Sequence, residues 1–319
     1  MNKLALSFAC LCACLFVCMS ARAQQPAGTP TPAPTPLPDN EIFVVELKLN
    51  AGQLSFGQPV NITKHAGYDN QPSFLPDGQS LFYTSERDGK QTDIYRYDFK
   101  TGTTVQVTST PEGEFSPTVM PNGKFFSVVR VEADKTQRLW KFPLAGGTAS
   151  LVLENVKPVG YHLWLDERTL ALFILGADKQ PNTLQLVTLK KDHPLAIEES
   201  TLHTNIGRSL QRVPRKGQVF SFVHKISDDN WLIKLVDVGA HRTDTLIKTL
   251  PGSEDHTWLP DGSVLMAQDA KLYRYNPAHD TDWQQVADFT AAGLTHITRL
   301  ALSPRADRLA LVAQTAQGH

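Results

Sequence analysis

From Glu41 onward the apolar residues of this chain come in short runs, some continuous and some alternating with polar residues, each cut off by Gly, Pro, Asn or Asp. No stretch keeps a 3.6-residue apolar period for more than a few positions, so the pattern predicts β-strands throughout. The unit is clearest in PSFLPDGQSLFYTSERDGKQTDIYRYD, Pro72 to Asp98. A short strand leads into a turn at Pro76-Asp77-Gly78, an apolar strand follows, Asp88-Gly89 turns the chain again, and DIYRYD alternates. In such a corner Pro pre-sets φ, Asp supports the next position, and Gly takes the positive φ that closes the hairpin.

That corner serves as a ruler. Similar corners recur at Pro121-Asn122-Gly123, Leu165-Asp166-Glu167, Pro214 to Gly217, Pro260-Asp261-Gly262 and Pro304 to Asp307, in steps of 45, 44, 49, 46 and 44 residues. Each has an apolar strand before it (SFL, TVM, LWL, QRV, TWL, LAL) and another after it, such as SLFYTS, TLALFIL or RLALVA. A third strand often alternates, as in RLWKFP and KLYRYN, and a short fourth appears as TVQVT and LIKTL. Four antiparallel strands repeated every 40–50 residues or so predict the blades of a β-propeller. Six corners predict six blades, an all-β six-bladed β-propeller over residues 41–315.

The ends predict how the ring closes. The final copy has only its first two strands before the chain stops, and the missing pair stands at the other terminus. Glu41 to Glu46 (EIFVVE) has the character of DIYRYD, and Val60 to Thr63 matches Val105 to Thr108. Thr63 to Pro76 and Thr108 to Pro121 are both 13 residues, so the register agrees. N-terminal outer strands are therefore expected to complete the C-terminal blade, removing an open sheet edge.

The motifs PSF.PDG, YTS.RDG and DIYRYD of the first copy resemble the Pro-Asp-Gly propeller repeat of the TolB-like family. The second copy keeps FSPTVMPNG and the fifth keeps WLPDG and KLYRYN, whereas the third, fourth and sixth are eroded. The resemblance implies the WD40-like propeller architecture and a protein-binding role in the cell envelope. TolB itself carries an additional N-terminal α/β domain, whereas here Pro38 leads straight into a propeller strand, so the resemblance extends to the propeller.

The first residues are of another kind. Lys3 gives a positive start, Leu4 to Cys18 an apolar stretch too short for a membrane span, and Ala21-Arg22-Ala23 the small-x-small pattern of a signal peptidase site. Residues 1–23 read as a signal peptide cleaved before Gln24, which predicts a periplasmic or secreted protein. All four cysteines (Cys10, Cys12, Cys14, Cys18) lie in that segment, so disulfides, thiolate metal sites and a cysteine nucleophile are not expected in the mature chain. Leu11-Cys12-Ala13-Cys14 also resembles a lipobox, the alternative in which Cys14 carries a lipid. Residues 24–40, rich in Pro and Thr, read as an extended spacer.

Removal of Lys3 and Arg22 from the 31 basic residues leaves 29 against 32 acidic ones, a net charge of −3. Without a concentrated basic surface, nucleic acid is excluded as a partner, and so is a polybasic membrane patch. A monomer is expected.

The chemistry of a propeller sits in the funnel built from loops that lead into each innermost strand. Counting back from each corner places Asp69, Asn70 and Gln71 there, with Glu114 and Ser116, Tyr161 and His162, Arg208 and Ser209, Glu254, Asp255 and His256, and His296 and Arg299. One reading has His162, His256 and His296 hold a metal beside Glu254 or Asp255, similar to the histidine-based sites of some propeller lyases, and implies a carbohydrate-active lyase or hydrolase. The other has a charged funnel recognise an envelope protein or small polar ligand, with Arg208 and Arg299 facing acids and Glu254 and Asp255 facing bases. The three histidines stand at different offsets from their corners, which does not oblige them to converge. The binding reading is therefore preferred, with no catalytic residue, metal or cofactor assigned. Acidic stretches at Ser85 to Asp93 and Ser227 to Asn230 sit where hairpins need Asp and Asn, and read as turns.

Overall fold

The computed structural model describes residues 37–190 and 197–316 apart from 51 and 88. The expected signal peptide, the lipobox alternative at Cys14, most of the spacer and Asp88 lie outside the described residues. The rest forms six antiparallel sheets in a ring. In chain order the first blade holds β4 (Asp69–Phe74), β5 (Ser80–Glu86), β6 (Thr92–Asp98) and β7 (Thr103–Gln106). The second holds β8 (Gly113–Val119), β9 (Phe125–Val131), β10 (Gln137–Pro143) and β11 (Ser150–Leu151). The third holds β12 (Val159–Trp164), β13 (Thr169–Ile174), β14 (Thr183–Leu189) and β15 (Ile197–Thr204). The fourth holds β16 (Ile206–Arg212), β17 (Val219–Ser227), β18 (Asn230–Asp237) and β19 (Arg242–Lys248). The fifth holds β20 (His256–Trp258), β21 (Val264–Gln268), β22 (Lys271–Tyr275) and β23 (Gln284–Asp288).

The sixth blade joins both termini, as the register predicts. Its inner strands are β24 (Arg299–Leu302) and β25 (Arg308–Ala313), and its third is β1 (Glu41–Asn50). β1 pairs with β25 from Glu41 opposite Ala313 to Glu46 opposite Arg308. The fourth position is split. β2 (Gln53–Phe56) lies along the far end of β1, while β3 (Val60–Asn61) pairs at Phe43 and Val44. Pro59 between them has no N–H for the ladder, which explains the break.

The corners are built as their chemistry requires. At the first, Gly78 N donates to Leu75 O (2.9 Å), Asp77 Oδ1 accepts from Gln79 N (2.8 Å), and Gly78 has φ +65°. Asn122 and Asp261 repeat the side-chain cap, accepting from Lys124 N and Ser263 N at 3.0 Å each. The eroded sixth corner puts Ala306 at φ +54°, where other copies place Gly.

Packing follows from two-sided burial. Along β13, Leu170, Leu172 and Ile174 face the second blade and Ala171 and Phe173 the fourth, so the strand reads as a continuous apolar run. Six hydrophobic clusters result, one at each seam between neighbouring blades. At the closing seam Ile42, Val44, Ala310 and Val312 pack on Leu81, Tyr83 and Tyr95. Ile42 is fully buried there, while Val60 on the outer edge is 57% exposed. Ile42→Ala is expected to cost about 2–4 kcal/mol in urea denaturation, and Val60→Ala less than about 0.5 kcal/mol.

Candidate functional site

The inner strands β4, β8, β12, β16, β20 and β24 surround a central cavity of about 340 Å³, to which each contributes residues. Near the funnel end four of them leave regular pairing, at Asn70/Ser73, Phe115/Thr118, Val159/Tyr161 and Ile206/Leu210. Such bulges re-aim side chains. Gln71 (φ +56°) and Ser116 (φ +54°) are left-handed there, each just before a proline tolerated on an edge strand. Gln71 Oε1 ties the first blade to the second, accepting from Ser116 N (2.7 Å) and Thr84 Oγ1 (2.9 Å).

Opposite these residues the funnel charges engage one another across blades four, five and six. Arg208 donates from Nε to Asp255 Oδ2 (2.8 Å) and from Nη2 to Thr298 O (3.0 Å), and its Nη1 lies 3.1 Å from Glu254 Oε1. Lys225 Nζ lies 2.8 Å from Glu254 Oε2 and 4.0 Å from the centre of the Trp231 ring. Gly207 permits this approach, since a Cβ there would stand 2.7 Å from Glu254 Oε2. Arg208, Glu254 and Asp255 thus face protein partners of opposite sign.

Arg299 is held differently. Its side chain is 14% exposed, it donates from Nη2 to Tyr161 OH (2.8 Å), it lies 5.1 Å from the Tyr161 ring centre, and its Nη1 stands 3.7 Å from Asp255 Oδ1. Burial by itself would lower its pKa, but Asp255, Tyr161 and Tyr68 reverse this and hold it above the ordinary arginine value. The buried Tyr68 hydroxyl is pushed up to about 12 by burial, against the pull of Arg299.

His162 and His256 occupy equivalent places in a structural device. His162 Nε2 meets Ser127 Oγ at 2.7 Å, and Trp164 Nε1 donates to the same oxygen at 2.9 Å. In the fourth and fifth blades His256 Nε2 meets Ser221 Oγ at 2.7 Å, and Trp258 Nε1 donates to that oxygen at 2.8 Å. Both rings are buried, which lowers their pKa values to about 3 and about 4, so both are neutral at physiological pH. The copies differ on the other side of the ring. His256 Nδ1 has Ser209 Oγ at 3.1 Å, whereas His162 Nδ1 and Ser116 Oγ, at the matching positions, are both buried without a hydrogen-bond partner. Ser116 and His162 line the central cavity. His296 is exposed and borders a smaller cavity of about 280 Å³ beside Arg208. Among the described residues no three His, Cys, Asp or Glu side chains are placed to hold a metal ion.

The remaining sequence candidates lie at blade seams. Asp69 is fully buried, and burial raises its pKa to about 6; Ser85, Arg87 and Thr63 temper the rise. Asn70 is buried and accepts from Gln71 N (2.8 Å). Glu114, in the register position of Asp69, accepts from Thr110 Oγ1 (2.5 Å) and Arg130 Nε (3.1 Å), and burial raises its pKa to about 7. Asp93 nearby, bonded to Thr108 Oγ1 (3.2 Å), is raised by the same cause. Sequence reasoning missed the Ser partners, although the repeated His-x-Trp at 162–164 and 256–258, each with Ser 35 residues before the His, carries the signal.

Six blades around an inner-strand cavity, with a polar mouth, define a β-propeller with a central funnel. Residues 36–157 match the family model for the TolB beta propeller domain. The fold of this chain is shared with the putative TolB from Agrobacterium tumefaciens (14% identity, 86% of this chain and 99% of that one, TM-score 0.63). It is also shared with TolB from Acinetobacter baumannii (15% identity, 88% of this chain, TM-score 0.53), of which it spans 65%. An oligogalacturonate lyase in complex with manganese is similar too (14% identity, 81% and 80% coverage, TM-score 0.51). At such identities these show the fold alone. No curated protein matches the chain in sequence.

The buried acids set a pH signature. Glu114 keeps its proton in the folded chain up to about pH 7, while the unfolded chain releases it near 4.5, so its contribution falls as pH rises through that window. The lowered histidines act oppositely below about pH 6.5, and comparison with a variant that retains them cancels their effect. The stability of the wild type relative to Glu114→Gln is expected to fall by more than about 1 kcal/mol between pH 5 and pH 8, measured by urea denaturation at both. Ser221→Ala, which strands the Trp258 N–H and His256, is expected to cost about 1–3 kcal/mol in the same assay.

Proposed function

We propose that this chain is an exported binding propeller that recognises a polar segment of an envelope protein at its central funnel. The observation that carries the reading is the mouth formed by Arg208, Asp255, Arg299 and Tyr161. Residues from the third to sixth blades converge there on a cavity with both free polar capacity and fixed charge. The signal-like N-terminus and the TolB-like repeat support a periplasmic or secreted compartment, and no helix among the described residues is long and apolar enough to cross a membrane. Internally paired charges suit binding. They are preorganised, so a ligand meets groups already fixed in place and less ordering entropy is lost.

A lyase or hydrolase reading needs His162 and His256 available to metal or substrate. Both rings have their Nε2 atoms against serine hydroxyls at 2.7 Å, and His256 also has its Nδ1 against Ser209 Oγ at 3.1 Å, which leaves it no free ring nitrogen, so no specific feature favours that reading.

The test is cross-linking in the native envelope. A photo-reactive residue at exposed His296 is expected to capture a discrete envelope protein identified by mass spectrometry, and the same residue at Val105 on the outer edge is expected not to. Recovery of only a glycan or a small metabolite from position 296, or equal capture from both positions, overturns the proposal.

A further inference from the structure

The charges at the funnel do not balance. Arg208, Lys225 and Arg299 are cationic, and Glu254 and Asp255 are the carboxylates engaged with them. Glu254 is shared by Arg208 and Lys225. Asp255 is spent chiefly on Arg208, whose Nε approaches it at 2.8 Å, and stands 3.7 Å from Arg299. Among the described residues Arg299 is left with one side-chain hydrogen bond, to the Tyr161 hydroxyl, although a guanidinium carries five N–H donors. A largely buried cation is ordinarily paired and hydrogen-bonded.

A second observation points to the same cavity. His162, 8% exposed, has its Nδ1 unpartnered, and so has the Ser116 hydroxyl, while the equivalent Ser209 and His256 satisfy each other at 3.1 Å. Arg299, Tyr161, His162 and Ser116 all line the central cavity, whose volume of about 340 Å³ admits an acidic side chain or a small organic acid. Ser127 Oγ accepts from Trp164 Nε1 and gives its one proton to Thr118 O (3.3 Å), so His162 Nε2 is the donor to that oxygen and His162 Nδ1 is an acceptor suited to a ligand N–H or O–H.

We infer that the central cavity is a carboxylate-binding site, in which Arg299, oriented by Tyr161, takes the carboxylate of a ligand. The inference rests on the funnel being the recognition surface and names the chemistry recognised there. Asp255 acts as an internal competitor for the same guanidinium, so its charge tunes affinity downward. The carboxylate comes either from a Glu or Asp side chain of a partner protein or from a free small acid, and these sources are separable by probe.

Isothermal titration calorimetry at constant ionic strength, on the mature chain, would use disodium succinate as the small acid, a hexaglutamate peptide as the acidic segment, and a hexaglutamine peptide as the uncharged control. Saturable binding of succinate or hexaglutamate and not of hexaglutamine is expected, and whichever acid binds more tightly identifies the source. Arg299→Gln is expected to weaken it about tenfold or more, as loss of a charge-assisted pair does. Asp255→Asn is expected to tighten it about threefold or more by freeing Arg299. Loss in one variant and gain in the other is not produced by simple misfolding. Should Arg299→Gln fail to fold, Tyr161→Phe, which keeps the charge and removes the orienting hydroxyl, is expected to weaken binding about threefold. No saturable binding of either acid, equal binding of the control, or weaker binding by Asp255→Asn overturns the inference. If neither acid binds while position 296 still captures a protein, the carboxylate site falls and the binding role stands. If an acid binds and no protein is captured, the reverse holds.

Discussion

Each blade is a sheet with two apolar faces, and neither face can be buried without a neighbour. That constraint organises the molecule. Leu81 and Tyr83 serve one seam and Phe82 and Ile94 the next, so every second strand contributes to two cores at once. An open row of such sheets would leave two apolar faces in water at its ends, and a closed ring leaves none. Joining β1 to β25 therefore completes the core as well as the sixth sheet. The polar mouth inherits its rigidity from this arrangement, because its side chains stand at the ends of strands that are themselves fixed between two packed seams.

The fold was legible because its determinants are local. A Pro-Asp-Gly corner, an apolar run and an alternating run can each be read within a few residues, and their regular spacing exposes the repeat. What escaped notice lay where local signal is weak. The outer strands β2, β11 and β23 have little apolar pattern because their exposed positions pack against little. The split around Pro59 depends on pairing with a strand from the other end of the chain.

The clustering of the funnel residues was legible in position and obscure in direction. Arg208, Glu254, Asp255 and Arg299 do gather at the mouth, yet their partners come from separate blades, and nothing in the linear sequence says that the charges answer one another. His162 and His256 look like ligands because His is chemically versatile. Their neighbours two residues on, Trp164 and Trp258, share serine oxygens with them, which makes the pair an inter-blade clasp. Asp69 and Glu114, at the heads of two inner strands, turn into seams instead of the channel.

The closing blade also imposes an order of events. A chain made from its N-terminus produces β1 first and its ladder partner β25 more than 250 residues later. Five blades can form as neighbouring hairpins while they emerge, but the sixth waits for the end of synthesis. Closure over so long a span carries the largest loop entropy in the molecule, and the contacts it makes are the most non-local. Until that moment Ile42, Phe43, Val44 and Val45 lack the β25 side of their ladder. Ring closure is thus the step at which an unfinished molecule is most exposed to mispairing and to the chaperones that guard against it.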